Sequence, residues 1–119
     1  MDKLRILAVS AHPGDLEILC GGTLAKYTKL GHKVIVAHLL NGNKGHYEMD
    51  SKELARVRKE ETENAAQIIG TEILSLGFSD GELFSNLETR KKVIDLIRQV
   101  KPDVIITHTP RDICQIPYY

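Results

Sequence analysis

A histidine and an aspartate stand three positions apart in the turn His12-Pro13-Gly14-Asp15, directly after the first apolar run of the chain. In an open α/β sheet, ligands bind at the carboxyl ends of the strands, where such turns lie. Zinc accepts both imidazole nitrogen and carboxylate oxygen, so His12 and Asp15 form two-thirds of a candidate metal site. A second interpretation stays open, in which Asp15 only caps the helix that begins there.

Polar side chains also follow the later apolar runs. Asn41 opens a glycine-containing loop after the second run, Asp80 lies in a turn after the third, and His108 and Asp112 follow the fourth. Because the carboxyl ends of parallel strands meet at one edge of a sheet, we expect these residues to lie near the first turn. An ordinary solvent-facing loop explains Asn41 and Asp80 equally well.

Two charged residues on predicted helices are further candidates. Glu17 stands in the first helical turn after Asp15, and we expect its carboxylate to reach the same edge. The alternative is that Glu17 is only a first-turn anion favoured by the helix dipole. Arg58 lies on the second predicted helix, where charged side chains most often form a solvated face.

The elements that must position these residues alternate between strand and helix. Short apolar runs rich in β-branched residues predict buried parallel strands at 4–10, 34–40, 73–78 and 104–107. The segments between them have helical spacing, and three helical crossovers between four strands predict an α/β fold with a parallel sheet and right-handed connections. The predicted helices cover 15–30, 51–70 and the segment from Asn86 to Lys101.

Residues typical of helix ends define these helices. We expect Ser51 and Asn86 to cap the second and third helices and Gly31 to end the first. The apolar residues expected to face the sheet are Leu16, Leu19, Leu24 and Tyr27 on the first helix, Leu54, Val57, Ala65, Ile68 and Ile69 on the second, and Val93, Ile94, Ile97 and Val100 on the third.

The composition narrows the class of protein. The chain has 119 residues, with 16 basic and 16 acidic side chains, so its zero formal charge gives no sign of a nucleic-acid or membrane partner. No apolar run approaches the roughly 18 residues needed to span a bilayer, and the start lacks a signal-peptide pattern. We therefore expect a cytoplasmic protein. The cysteines, Cys20 and Cys114, match no paired metal motif and are expected to be free thiols.

Taken together, these segments resemble the PIG-L family of metal-dependent de-N-acetylases, also called LmbE-like. The family pattern Ala-His-Pro-Asp-Asp-x-Glu, followed by Gly-Gly-Thr, stands here as residues 11–17 and 21–23. The Arg-x-x-Glu pattern of Arg58 and Glu61, the Phe-Ser-Asp-Gly turn at 78–81 and the Thr-His-x-Pro-x-Asp pattern at 107–112 are also similar to the family. The resemblance covers nearly the whole chain.

The resemblance implies a Rossmann-like sheet and a zinc ion, or another divalent metal, held by His12, Asp15 and a later histidine. It implies cleavage of N-acetyl groups from amino sugars or related small molecules, with the metal polarising the amide carbonyl and a carboxylate as general base. From the residues and the resemblance together we assign metal binding to His12 and Asp15, catalytic roles to Asp15, Glu17, His108 and Asp112, and substrate contacts to Asn41, Arg58 and Asp80.

The chain departs from the family pattern at two places. Gly14 occupies the position of the aspartate that is the family's usual base, so either a neighbour such as Glu17 replaces it or deacetylation is lost. After Asp112 the family continues to a third metal-binding histidine, whereas this chain has Pro117 there and offers only Cys114 as a soft ligand nearby. One inserted thymidine can convert codons for residues 113–116 into codons for Tyr-Met-Pro-Asp, so we expect a frameshift and a single, incomplete domain over 1–119.

Two other functions stay open. The changed base position is compatible with a hydratase or lyase of the same superfamily, and the polar strand ends with a non-catalytic module that binds a small molecule without metal. Classical dinucleotide binding is disfavoured, because no Gly-x-Gly-x-x-Gly follows the first strand. An incomplete domain leaves a sheet edge and apolar helix faces uncovered, so we also expect copies of the chain to associate into a homo-oligomer.

Overall fold

A computed structural model describes residues 2–44 and 48–110 of the chain. Strands and helices alternate within these ranges. In chain order they are β1 (Arg5–Ser10), α1 (Asp15–Lys29), β2 (Lys33–Leu40), α2 (Ser51–Ile69), β3 (Glu72–Phe78), α3 (Leu87–Val100) and β4 (Val104–Thr107).

The four strands form one parallel sheet in the order β3-β2-β1-β4. The chain therefore steps outward from β1 through β2 to β3 and then returns to the other side of β1 for β4. Since the crossovers are right-handed, this reversal places α1 and α2 on one face of the sheet and α3 on the other. The predicted α/β fold with a Rossmann-like parallel sheet is confirmed, and its switch in strand order lies beside β1, where such folds bind ligands.

Each face of the sheet has its own apolar core. On the α1 and α2 side the core consists of Ile6, Ala8, Leu16, Leu24, Val34 and Val36. On the α3 side it consists of Leu7, Ile35, Ala37, Leu96 and Val100. Because β1 and β2 are central and covered on both faces, more than half of their residues are apolar and buried, as expected of parallel strands.

The helix ends agree with the sequence prediction in part. Asn86 caps α3, its side chain accepting a hydrogen bond from the Thr89 amide, and Gly31 follows α1 with a φ of +90°. The prediction of Ser51 as a cap was wrong by one residue. Asp50 is the cap of α2, since its carboxylate accepts a hydrogen bond of 2.9 Å from the Glu53 amide. Aspartate and serine are both favourable N-cap residues, so the sequence alone did not show whether Asp50 or Ser51 caps α2.

Some predicted core residues face solvent instead. Leu19 is 69% exposed and Ile68 is 86% exposed. Consecutive helical residues point about 100° apart, so Ile68 cannot share the inward direction of Ile69. Leu19 directly precedes a break in α1 at Cys20, where φ is −147°, although Leu16 and Leu24 on either side of this break both enter the core. On α3, Ile94 is 44% exposed, and Leu96, which the pattern missed, is buried.

Within the described ranges, no helix combines the length and the apolar character needed to cross a membrane.

Candidate metal centre

The turn after β1 brings the first two candidate ligands to the carboxyl edge of the sheet. Gly14 precedes α1 with a φ of +91°, a left-handed conformation that glycine adopts without strain. This turn lets Asp15 fold back, and its carboxylate accepts a hydrogen bond of 3.0 Å from the His12 amide. Asp15 is thus the first residue of α1 rather than its cap, and its side chain is held against the His12 backbone.

The donor atoms of this pair lie close to the spacing that zinc requires. His12 Nδ1 and Asp15 Oδ2 are 4.0 Å apart. Two ligands about 2.1 Å from a tetrahedral zinc ion are roughly 3.4 Å apart, so a movement of less than about 1 Å brings both onto one ion. The chemistry and the spacing of the pair therefore fit a divalent metal.

His108 reaches the same place from the end of β4. Its Nε2 lies 3.5 Å from Asp15 Oδ2 and accepts a long hydrogen bond of 3.4 Å from the Ala11 amide. Thr107 anchors the end of the strand by donating a hydrogen bond to the Val9 carbonyl. The parallel pairing of β1 with β4 thus brings together histidines that are 96 positions apart in the sequence.

Asp80 connects two further loops at this edge. Its carboxylate oxygens accept hydrogen bonds from the amides of Gly42 and Lys44, while its own amide donates to the Asn43 side chain. Asp80 Oδ1 also lies 3.8 Å from His12 Nε2. The aspartate that we assigned to substrate therefore holds the loop after β2 and faces the imidazole of the candidate metal ligand.

Asn41 and Arg58 lie beside this loop. Asn41 donates its amide to the Phe78 carbonyl, and its side chain accepts a hydrogen bond from the Asn43 amide. A β-carbon at Gly42 would come within 3.2 Å of Arg58 Cγ, which places the stem of Arg58 against the loop. The Arg58 guanidinium donates to the Glu61 carboxylate at 3.2 Å, in the Arg-x-x-Glu pattern. Their assignment to substrate stays a prediction.

Glu17 does not join the cluster. No hydrogen bond or ion pair links Glu17 to His12 or Asp15 in the part of the chain that the structure describes. Burial, and to a lesser degree the charge of Glu17, raise the pKa of the Cys20 thiol instead. The remaining catalytic and ligand predictions concern residues outside the described part of the chain, namely Asp112, Cys114 and Pro117.

His38 is a residue near the site that sequence reasoning missed. It lies on β2 between Ser10 of β1 and Ser75 of β3, and it is 4% exposed. Burial lowers the pKa of its imidazole, and the charge of Asp15 opposes this shift as a smaller effect. The available signal was a lone histidine within an otherwise apolar strand.

The complete ligand set is not present in the described residues. Across residues 2–44 and 48–110, no three histidine, cysteine, aspartate or glutamate side chains are arranged to hold a metal ion. Within these ranges the candidate site therefore consists of two donors, from His12 and Asp15.

Known proteins share this sequence pattern and this fold. The sequence model of the PIG-L family, described as GlcNAc-PI de-N-acetylase, matches residues 7–117. Diacetylchitobiose deacetylase of Thermococcus kodakarensis is 35% identical over 112 residues, which cover 92% of this chain and 42% of that protein. 4-Oxalmesaconate hydratase of Pseudomonas putida is 27% identical over 113 residues, which cover 89% of this chain and 44% of that protein.

Two solved structures support the same relationship. The N,N'-diacetylchitobiose deacetylase of Pyrococcus horikoshii superposes with a TM-score of 0.83 at 32% identity, over 87% of this chain and 40% of that one. The 4-carboxy-2-hydroxymuconate hydratase of Pseudomonas putida superposes with a TM-score of 0.82 at 27% identity, over 99% of this chain and 50% of that one. The chain thus spans half or less of the length of these relatives. The match over nearly all of its residues shows that it belongs to the PIG-L family.

Proposed function

We propose that this chain is a metal-dependent hydrolase of the PIG-L type, with acetamido groups of amino sugars as its substrate class. The observation that carries the proposal is the convergence of His12, Asp15 and His108 at one end of the parallel sheet. The deacetylase relatives, at 35% and 32% identity, support hydrolysis of an N-acetylated sugar as the reaction.

His12 and Asp15 would hold the metal, for the spacing of their donor atoms suits it. When bound, a divalent ion supplies a Lewis acid that polarises a carbonyl oxygen and lowers the pKa of water. The two side chains differ in how they are held. Asp15 is fixed by the His12 amide, while the His12 ring is 45% exposed at the edge of the sheet, where a metal ion could reach it.

His108 is the group that we propose to hold or move a proton. Its Nε2 faces Asp15 at 3.5 Å, and the side chain is 41% exposed, so a substrate at the edge has access to the ring. Histidine is the side chain that most often transfers protons in enzymes. Asp112 remains a predicted partner of this step.

The absence of a carboxylate at Gly14 leads us to expect slow deacetylation. Gly14 offers no side chain to accept a proton, and Glu17 makes no contact with the metal pair in the described part of the chain. General-base catalysis contributes about 10²–10⁴-fold, so we propose that deacetylation by this chain is slow by a factor in that range.

A hydratase of the same family is the second candidate. The hydratase structure covers 99% of this chain, and Gly14 removes the carboxylate that the deacetylase pattern places at this position. Addition of water to an unsaturated acid would then replace amide hydrolysis at the same edge.

The test compares both reactions in the same protein. Acetate release from N,N'-diacetylchitobiose and loss of ultraviolet absorbance from an unsaturated dicarboxylic acid are measured with added zinc and with a chelator. Slow acetate release that needs metal and disappears in His12→Ala supports the deacetylase, with Glu60→Gln on the exposed side of α2 as the control. Hydration without acetate release favours the hydratase. If the chain binds either compound equally well with zinc and with chelator but catalyses neither acetate release nor hydration, a non-catalytic binding module is favoured.

A further inference from the structure

A crevice of about 440 Å³ lies between α2 and the sheet, on the face that carries α1 and α2. Residues of the metal edge, of β2 and β3, and of α2 line it, among them Pro13, His38, Asn41, Thr62, Glu63 and Ser75. Small-molecule sites have volumes of about 300–1,000 Å³, so this crevice has room for a ligand of that size.

His38 is a buried polar residue that lines this crevice. Other buried polar side chains are paired, since His32 accepts a hydrogen bond from the Leu4 amide and Thr62 donates to the Arg58 carbonyl. Neither ring nitrogen of His38 has a hydrogen-bond partner among the residues that the structure describes. Without a protein partner in these ranges, the two ring nitrogens are available to water or to a ligand in the crevice.

The solvent contact of the His38 ring supports the inference that water or a ligand in the crevice pairs with it. No side-chain nitrogen or oxygen in residues 2–44 and 48–110 is both sealed from solvent and unpaired. The nitrogens of His38 therefore keep contact with solvent although the residue is 4% exposed, and the crevice is the opening that its side chain lines.

The protonation state of His38 determines which chemical groups of a ligand can bind in the crevice. Burial lowers the pKa of His38, so its ring is neutral near pH 7 and offers one donor and one acceptor. A hydroxyl group can pair with either nitrogen, since it both donates and accepts, whereas a carboxylate only accepts and an ammonium only donates. Lys59 and Glu63 add one charge of each sign, and the hydroxyls of Thr62 and Ser75 add further polar groups.

The crevice is continuous with the candidate metal edge. Pro13 follows the ligand His12 directly, and Asn41 begins the loop that Asp80 holds. A ligand that enters at this edge and reaches His38 therefore places one end near the metal pair and its other end under α2.

We propose that this crevice binds the uncharged, hydroxyl-bearing ring of the substrate, with His38 as the buried group that hydrogen-bonds it. The inference rests on the proposed function and adds to it the residue that determines substrate specificity. It also explains why β2, which is apolar from Val34 to Ala37, carries a histidine at the next position.

The test follows the imidazole signals of the whole chain by NMR while N,N'-diacetylchitobiose is added in the presence of a chelator. We expect the His38 ring signals to shift until they saturate, whereas His32, which is paired with the Leu4 amide, stays unchanged. Shifts at His12 and His108 without any at His38 would overturn the crevice but leave the proposed function standing. No shift at any histidine would overturn the crevice, while the proposed function, which requires metal, is decided by the acetate-release assay.

Variants test the hydrogen bond itself. His38→Leu removes both polar atoms and should weaken binding of the disaccharide roughly tenfold, in line with the loss of one buried hydrogen bond. His38→Gln keeps a donor and an acceptor and should retain most of the affinity. Glu60→Gln, outside the crevice on the exposed surface of α2, is the matched control and should change little. Equal affinity in His38→Leu and wild type would contradict the proposal, and the NMR test on the wild-type chain holds even if that variant does not fold.

Discussion

Asp80 Oδ1 lies 3.8 Å from His12 Nε2, while the two Asp80 oxygens accept hydrogen bonds from the amides of Gly42 and Lys44. The imidazole of His12 thus stands between two carboxylates, with Asp15 on its Nδ1 side at 4.0 Å. A metal-binding histidine commonly directs its second nitrogen toward a carboxylate, which fixes the orientation of the ring. The turn after β3 therefore links the candidate ligand to the loop after β2.

Removal of the Asp80 carboxylate should destabilise the protein. Asp80→Ala leaves the amides of Gly42 and Lys44 without their acceptor, and its side chain is only 13% exposed. The cost of such unpaired groups predicts a loss of about 1–3 kcal/mol in the free energy of unfolding, measured by urea denaturation. Asp80→Asn keeps one acceptor oxygen and should lose less.

The control for this measurement is Glu82→Ala. Glu82 lies in the same turn, but its carboxylate is 59% exposed and forms only an ion pair with Lys44. We expect a change within about 0.5 kcal/mol, as for most surface substitutions. Equal losses for Asp80→Ala and Glu82→Ala would show that Asp80 does not hold the loop.

The cap of α2 offers a second test. Asp50→Ala should lower the free energy of unfolding by about 1 kcal/mol, because the Glu53 amide loses its acceptor. Asp50→Asn should be nearly neutral, and Ser51→Ala should have little effect. A larger loss from Ser51→Ala than from Asp50→Ala, in thermal or urea unfolding, would restore the cap that the sequence predicted.

The sequence pattern was sufficient for the elements and their order, since the strands are apolar runs and the helices have caps and glycine stops. It could not resolve which helical residues face the sheet. Leu19 and Ile68 are apolar but exposed, and each lies one helical step of about 100° from a partly buried neighbour, Cys20 and Ile69. Periodicity averages over a helix and does not detect such local departures.

For the site, sequence reasoning located the loops that meet but not their contacts. That His12 and Asp15 form a pair follows from their spacing in one turn, whereas the approach of His108 depends on the pairing of β4 with β1. Asp80 was found by its position, but its role as an acceptor for two backbone amides depends on the path of a loop. The proposed role of His38 depends on its burial, and no sequence motif around it indicates that role.

Replacement of Gly14 tests the missing base. A β-carbon there meets nothing within 4 Å, so Gly14→Asp fits in space, although the φ of +91° strains any other residue by about 1–2 kcal/mol. We expect Gly14→Asp to release acetate from N,N'-diacetylchitobiose faster than wild type, with metal added.

Gly14→Asn is the matched control for this replacement, because it has a similar shape and similar backbone strain but cannot accept the proton. Only the aspartate should raise the rate. If neither variant exceeds the wild-type rate of acetate release, position 14 does not limit hydrolysis in this chain.

The buried imidazole of His38 predicts a pH dependence of stability. Its pKa is lowered in the folded protein, so below the ordinary value of about 6.5 the unfolded chain binds this proton more readily than the folded chain. Stability should therefore fall as the pH drops through this range toward the folded pKa. In His38→Gln the fall between about pH 7 and pH 5 should be smaller, as measured by urea unfolding, and an identical fall would contradict the burial of a neutral ring.

The central claim is that His12 and Asp15 together hold a divalent metal, and calorimetric titration of the metal-free chain with zinc tests it most directly. The account predicts saturable binding that is lost in both His12→Ala and Asp15→Asn but kept in Glu60→Gln, whose carboxylate only pairs with Arg56 on the surface of α2. Zinc binding that survives both substitutions, or no binding by the wild-type chain, would contradict it.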